Sequence, residues 1–118
     1  MRILIIDDDP AILSSLRMVL EYERHDVVWA TTAEAGLALF ECAAPDVVLL
    51  DVEMPGIDGL DVLRRLHATH ESTPVIMMSA ERLATSEAMC AGAAAFLEKP
   101  FKSTADLLKG IKAAMCAA

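Results

Sequence analysis

The sequence of 118 residues predicts a three-layer, doubly wound α/β domain, in which helices cover both faces of a parallel β-sheet. Three observations predict this fold. Short apolar segments alternate with segments of helical spacing, strand first and helix second, five times along the chain. Three of the apolar segments are almost continuously hydrophobic, which is typical of strands covered on both faces. The composition is 55% hydrophobic, which suffices for one core in a chain of this length.

The predicted strands are five short segments rich in isoleucine, valine, leucine and methionine. In chain order they are Arg2–Ile6, Val27–Ala30, Val47–Leu50, Val75–Met78 and Ala94–Leu97. The first, third and fourth have almost no polar interruption, so we expect helices on both of their faces. The second runs into threonines, as expected for a strand at the edge of the sheet.

The predicted helices carry apolar residues at helical spacing between the strands. Four residues form one stripe of the first helix, at i, i+4, i+7 and i+8: Ile12, Leu16, Val19 and Leu20. The second, third and fifth helices are predicted from Leu37 and Phe40, from Leu63 and Leu66, and from Leu107, Ile111 and Met115. The fourth, from about residue 81 to residue 91, is indicated mainly by its alanines.

Polar residues, proline and glycine mark the helix boundaries. Asp9 before Pro10 is typical of an N-cap followed by proline at the first helical position. Thr32 is a candidate cap for the second helix and Ser103–Thr104 for the last. Gly92 is placed to end the fourth helix.

Charge and composition exclude several classes of function. The net charge of −8 argues against nucleic acid or an anionic membrane as a direct partner of this domain. No apolar run approaches the roughly 20 residues of a membrane span, and the apolar start of the chain is too short for a signal peptide. The cysteines Cys42, Cys90 and Cys116 lack metal-binding spacing, which favours reduced thiols. The sequence therefore predicts one soluble, cytoplasmic domain over residues 1–118.

Polar residues follow the predicted strands at the edge where a site is expected. In open α/β sheets, ligands bind in the crevice beyond the carboxyl ends of the strands. Asp7 and Asp8 follow the first strand, Asp51 the third, Ser79 the fourth and Lys99 the fifth. The predicted topology therefore brings three acids, a hydroxyl and a lysine to one edge of the sheet.

Each of these residues also has an ordinary structural explanation when it is taken alone. Asp7 and Asp8 suit a turn before a helix, Ser79 could cap the next helix, and Lys99 could be a solvated surface lysine. Asp51 could begin a turn. Their shared position favours a site instead, because three carboxylates suit Mg²⁺ and a lysine with a hydroxyl suits phosphoryl oxygens. The combination indicates phosphoryl transfer.

Four motifs carry a resemblance over essentially the whole chain. They are "IIDDDP", "LLDVEMPGIDG", "MMSA" and "EKPF", in this order and each at the end of a predicted strand. Together they resemble the CheY-like receiver domains of response regulators in two-component signalling. The resemblance implies a flavodoxin-like sheet of order 2-1-3-4-5 with its site at the switch point.

The resemblance also implies the acceptor and the metal ligands. Asp51 would be the phosphoacceptor, taking a phosphoryl group from a sensor histidine kinase or a phosphotransfer protein. Asp7 and Asp8 would hold Mg²⁺, with Asp8 the more direct ligand. Asp51 and the backbone carbonyl of Glu53 would complete the ligands that the protein supplies.

The remaining motif residues have implied roles around the phosphoryl group. Ser79 would be the switch hydroxyl, where the family more often has threonine, and Lys99 would bind the phosphoryl group. Phe96 would be the aromatic switch, without the hydroxyl of the tyrosine found in many relatives. The small side chain of Ala80 should leave room for the phosphoryl group, and Pro100 would follow a cis peptide bond.

The implied function is a switch that acts on a partner. Phosphorylation would shift an existing equilibrium at the face formed by the fourth predicted helix, the fifth strand and the fifth helix. This face would control an output domain or target protein, and it could support dimerisation. Its charged residues suit partner contact or a solvated surface equally: Glu81, Arg82, Glu98, Lys102, Asp106 and Lys109.

Two other classes of function fit part of the pattern. A magnesium-dependent phosphatase would use Asp51 as nucleophile and Glu53 as acid, but little chain is left to form a substrate pocket. An interaction module independent of phosphorylation would not require the full set of acids, hydroxyl and lysine. The sequence leaves open whether the domain acts alone or begins a longer regulator.

Overall fold

The computed structural model describes residues 1–54, 58–69, 72–79, 92–99 and 104–117, and its architecture confirms the predicted fold. Its strands are β1 (Arg2–Ile6), β2 (Asp26–Ala30), β3 (Val47–Asp51), β4 (Val75–Ser79) and β5 (Ala95–Glu98). Its helices are α1 (Pro10–Tyr22), α2 (Ala33–Ala43), α3 (Gly59–Thr69) and the C-terminal α4 (Thr104–Ala117). The helix predicted at about residues 81–91 lies outside the described residues.

The five strands form one parallel sheet in the order β2-β1-β3-β4-β5. This order confirms the prediction of 2-1-3-4-5. The chain adds β2 on one side of β1 and then returns to place β3 on the other side. The switch point therefore lies between β1 and β3, at the carboxyl ends that carry the three acids.

Two apolar clusters fill the space between the sheet and its helices. Alternate side chains of β1 divide between them, since Leu4 and Ile6 pack with α2 and α3 whereas Ile3 and Ile5 pack with α1 and α4. All residues of β3 and β4 are buried, as their continuous apolar pattern predicts. The edge strand β2 instead exposes Trp29.

The predicted strand ends are wrong by one residue at five places. β3 includes Asp51 and β4 includes Ser79, so both residues belong to strands and not to the loops that follow. The reason is that the ladder continues: the Val52 N–H donates to the Met78 carbonyl at 3.0 Å, and the Lys99 N–H donates to the Ser79 carbonyl at 2.8 Å. In addition, β2 begins one residue earlier than predicted, and β5 both begins and ends one residue later.

The predicted caps of α1 and α2 are confirmed. Asp9 Oδ1 accepts a hydrogen bond from the Ala11 N–H at 2.9 Å, and Pro10 occupies the first helical position. Thr32 Oγ1 accepts from the Ala35 N–H at 3.1 Å. These bonds satisfy amide groups that have no partner within the helix. None of the described helices is both long enough and apolar enough to cross a membrane.

Two other predicted boundaries are partly described. Gly92 has a φ of 103°, a conformation that glycine adopts readily, although the helix that it was predicted to end is outside the described residues. The helix α4 begins at Thr104, within the predicted cap, while Ser103 is outside the described residues.

Gly59→Ala is expected to destabilise the protein by about 1–3 kcal/mol, because a Cβ there would lie 2.7 Å from the Val52 Cα. The backbone at Val52 is held in the sheet ladder and has little freedom to move. Gly110→Ala is the matched control, since its Cβ would meet only the flexible end of the Leu97 side chain and alanine favours the helix. Urea unfolding of both variants tests this, and equal losses would contradict it.

Candidate functional site

The structure brings the predicted acids and lysine together at the carboxyl edge of the sheet. Carboxylate oxygens of Asp7, Asp8 and Asp51 lie within 4.8 Å of one another. Lys99 Nζ lies 2.9 Å from Asp7 Oδ2 and 3.4 Å from Asp51 Oδ1. The Ser79 hydroxyl donates a hydrogen bond to the Glu53 carboxylate. Residues up to 92 positions apart in the chain therefore form one polar cluster.

Backbone amides hold the two buried carboxylates in place. The Asp7 N–H donates to the Ala30 carbonyl at 3.1 Å, which extends the β1–β2 ladder by one residue. Asp7 Oδ1 accepts from the Asp9 N–H at 2.9 Å, and Asp51 Oδ1 accepts from the Glu53 N–H at 3.0 Å. Each carboxylate is thus oriented by the amide two residues further along the chain.

The members of the cluster differ sharply in burial. Asp7 and Ser79 are 0% exposed and Asp51 is 3% exposed, whereas Asp8 is exposed to solvent. Buried charges require a compensating charge or hydrogen bonds, and the Lys99 ammonium supplies one positive charge for two buried carboxylates. The remaining negative charge, with Asp8 at the rim, gives the donor set that hard cations prefer.

Burial and charge shift the pKa values at the centre of the cluster. Burial raises the pKa of Asp51 from 3.8 to about 6, and the Asp7 carboxylate contributes in the same direction. The Glu53 amide and the Lys99 ammonium act against this shift. For Lys99, burial alone would lower the pKa, but the hydrogen bond and charge of Asp7, together with Asp51, raise it. Lys99 is therefore an ammonium at neutral pH.

The stability of the metal-free protein is expected to depend on pH through Asp51. A carboxyl whose pKa is raised on folding stabilises the folded protein at pH values below 3.8, which is its pKa in the unfolded chain. This stabilisation is lost as the pH rises through about 6, which is its pKa in the folded protein. At neutral pH the loss is on the order of 3 kcal/mol. Denaturant unfolding in EDTA should therefore find Asp51→Asn more stable than the unsubstituted protein at pH 7 and close to it near pH 4. A difference that is independent of pH would contradict this assignment.

Phe96 lies on β5, beside the cluster but not in it. Its side chain is half-buried and packs against the apolar cluster on the α2 and α3 side of the sheet. In the ladder it pairs with Met77, two residues before Ser79. Of the charged residues predicted at the output face, Glu98, Asp106 and Lys109 are exposed. The other three charged residues lie outside the described residues: Glu81, Arg82 and Lys102. Two residues predicted at the site, Ala80 and Pro100, also lie outside them.

Sequence reasoning missed the side-chain contact between Ser79 and Glu53. The sequence prediction gave Glu53 a backbone carbonyl for the metal and, in the phosphatase alternative, the role of acid, but no contact with Ser79. The two residues are 26 positions apart, and neither helical nor strand spacing connects them. Only the predicted strand order could have indicated this proximity, because Glu53 and Ser79 lie at the carboxyl ends of the neighbouring strands β3 and β4.

Comparison with known proteins gives, for nearly the whole chain, the family that its sequence motifs resemble. The model of the response regulator receiver domain matches residues 3–112. The structure of the NtrX receiver domain from Brucella abortus superposes with a TM-score of 0.92 at 31% identity, covering 98% of this chain and 99% of that one. A CheY-like receiver domain protein from Methanospirillum hungatei gives a TM-score of 0.89 at 36% identity, covering 98% and 93%.

A curated relative adds information on length. Response regulator MprA of Mycolicibacterium vanbaalenii is 41% identical over 103 residues, which cover 85% of this chain and 44% of that protein. The chain spans about half or less of the length of the curated relatives that it matches. With the family model, the fold and the structural neighbours in agreement, the chain belongs to the family of response regulator receiver domains.

Proposed function

We propose that residues 1–118 form a receiver domain that accepts a phosphoryl group on Asp51 from a sensor histidine kinase or a phosphotransfer protein. The observation that carries this proposal is a nearly buried carboxylate, Asp51, set between two further acids and a lysine at the switch point of the sheet. The family implies a histidine kinase as partner. In this role the domain is a signalling component that assists its own phosphorylation, and we propose that it acts in the cytoplasm.

The chemistry requires an oriented carboxylate and compensation of charge. An oxygen of Asp51 attacks phosphorus, the bond from phosphorus to the donor's histidine nitrogen breaks, and the imidazole leaves. The Glu53 amide orients the Asp51 carboxylate before the attack. Lys99, whose ammonium already lies 3.4 Å from Asp51, offsets negative charge on the phosphoryl oxygens. Ser79 supplies a hydroxyl donor at the same edge, and the small side chain of Ala80, which lies outside the described residues, would leave room for the group.

The acids fit Mg²⁺ by the nature of their donor atoms. Carboxylate oxygens are the ligands that this ion prefers, and the cluster carries more negative charge than Lys99 balances. Asp7, Asp8 and Asp51 would hold the ion through their side chains, and Glu53 through its backbone carbonyl. When bound, Mg²⁺ would neutralise charge on the transferring phosphoryl oxygens.

Binding of Mg²⁺ is expected to raise the unfolding temperature, because an ion bound only by the folded state stabilises by about 2.7 kcal/mol at a hundred times its Kd. Asp8→Asn should weaken Mg²⁺ binding at least tenfold by removing one exposed carboxylate. Asp9→Asn is the matched control, since asparagine still caps α1. Thermal unfolding across a Mg²⁺ titration measures both variants. Equal Mg²⁺ dependence in the two variants would remove Asp8 from the proposed ligands.

Phosphorylation would act on the rest of the domain through Ser79 and Phe96. Once Asp51 carries the phosphoryl group, Ser79 would donate to one of its oxygens and Phe96 would rotate toward the space that Ser79 leaves. Pro100, after the proposed cis peptide bond, would help to place Lys99. The face formed by the helix predicted at about residues 81–91, by β5 and by the C-terminal helix α4 would then control an output domain or a target protein, or it would mediate dimerisation. We propose no direct contact of this domain with nucleic acid or membrane.

The test is incubation with acetyl phosphate, followed by intact-protein mass spectrometry with and without Mg²⁺. We expect a mass gain of one phosphoryl group that requires Mg²⁺ and is lost in EDTA. No gain under saturating donor would contradict the proposed function. A parallel assay with a small phosphate ester separates the phosphatase alternative, which would release phosphate over many turnovers.

A further inference from the structure

The hydrogen bond from Ser79 to Glu53 connects a buried hydroxyl to an exposed acid. Ser79 is 0% exposed, whereas Glu53 lies at the surface. Both residues are anchored through their backbones: the Glu53 N–H donates to Asp51 Oδ1 at 3.0 Å, and the Ser79 carbonyl accepts from the Lys99 N–H at 2.8 Å. The backbone of Glu53 is therefore held against the Asp51 carboxylate, while its side-chain carboxylate accepts the hydrogen bond of the Ser79 hydroxyl.

The Ser79 hydroxyl has a single proton and can donate it to one acceptor at a time. While it donates to Glu53, it does not donate to a phosphoryl oxygen on Asp51. The phosphoryl group also carries about −1.5 to −2 charges in place of the single charge of the Asp51 carboxylate, and the added repulsion at the neighbouring Glu53 favours departure of the Glu53 side chain. The bond to Glu53 and a bond to the phosphoryl group therefore exclude each other.

We propose that the Glu53 side chain is a displaceable restraint on Ser79. In the unphosphorylated protein the Glu53 carboxylate accepts the hydrogen bond of the Ser79 hydroxyl. After phosphorylation, a phosphoryl oxygen replaces Glu53 as the acceptor of that bond. This inference rests on the proposed function of Asp51. Glu53 acts as a positioning residue through its side chain, separately from the backbone carbonyl proposed for the metal, which every substitution at this position retains.

A double-mutant cycle separates this role from simple repulsion of an anion by Glu53. Repulsion acts whether or not residue 79 has a hydroxyl, whereas the restraint requires one. The cycle therefore compares Glu53→Ala in the unsubstituted protein with Glu53→Ala in a Ser79→Ala background. The probe is beryllium fluoride, a phosphoryl mimic, added to protein saturated with Mg²⁺ and followed by titration calorimetry.

We expect Glu53→Ala to tighten beryllium fluoride binding about tenfold when Ser79 is present, because the charge-assisted bond no longer competes. In the Ser79→Ala background the same change should tighten binding about twofold at most, from loss of repulsion at an exposed site. Ser79→Thr keeps a hydroxyl and should restore the larger ratio. Equal ratios in the two backgrounds, or a Ser79→Thr protein that behaves like Ser79→Ala, would overturn the restraint.

The same titrations distinguish failure of the restraint from failure of the proposed function. Asp51→Asn should not bind beryllium fluoride. If the unsubstituted protein does not bind it, or if Asp51→Asn binds equally well, the proposed function and the restraint are both overturned. If binding depends on Asp51 but residues 53 and 79 show no coupling, the restraint alone is overturned.

Discussion

Asp51→Asn is expected to abolish incorporation of the phosphoryl group from acetyl phosphate at every Mg²⁺ concentration. The amide of asparagine is not a nucleophile for phosphorus under these conditions, and no other described carboxylate lies buried against both the Lys99 ammonium and the Glu53 amide. Intact-protein mass spectrometry over a time course measures the effect. The same substitution should stabilise the metal-free fold at neutral pH, so the loss of incorporation would not reflect unfolding.

Asp9→Asn serves as the control for this result. Asp9 belongs to the same run of three acids, but its carboxylate caps α1, and asparagine retains that hydrogen bond. We expect this variant to incorporate the phosphoryl group to the level of the unsubstituted protein. Undiminished incorporation by Asp51→Asn would show that the acceptor is another residue.

Lys99→Met is expected to destabilise the metal-free protein by about 3–5 kcal/mol at neutral pH, which is typical when one partner of a buried ion pair is removed. Asp7 is fully buried and its Oδ2 lies 2.9 Å from Lys99 Nζ, so the substitution leaves a buried carboxylate without its cation. Urea unfolding in EDTA measures the loss. Lys109→Met, at an exposed position of α4, is the control and should change stability by less than about 0.5 kcal/mol.

The double variant Lys99→Met with Asp7→Asn tests the physical cause. Replacing both partners leaves no unpaired charge at this position, so the double variant should be more stable than Lys99→Met alone. A double variant that is as unstable as the sum of its single changes would show that the ion pair is not the source of the loss. Mg²⁺ should also partly restore Lys99→Met, because a cation on the acids replaces the missing charge.

The strands and the convergence of the acids were predictable because both follow from general properties of parallel sheets. Continuous apolar runs report burial on two faces, and the first predicted strand, Arg2–Ile6, has its observed bounds. Parallel strands present their carboxyl ends at one edge, so the order of motifs along the chain was sufficient to bring Asp7, Asp51 and Lys99 together. The prediction that these residues converge therefore did not require knowledge of contacts between individual side chains.

The differences between neighbouring residues were not predictable from the same patterns. Asp7 is fully buried and Asp8 is exposed, although the two are adjacent and chemically identical. Both faces of β1 are apolar, so strand alternation does not indicate which acid turns inward. The bond between Ser79 and Glu53 likewise depends on side-chain conformations at two strand ends, which neither periodicity nor motif order specifies.

The proposed role of Asp51 is tested by identifying the residue that becomes phosphorylated. After reaction with acetyl phosphate and Mg²⁺, borohydride reduces an acyl phosphate to an alcohol and converts the modified aspartate to homoserine. Peptide mass mapping then locates the change. We expect homoserine at position 51 alone, whereas reduction at Asp7 or Asp8, or a phosphoryl group on serine or histidine, would overturn the proposed function.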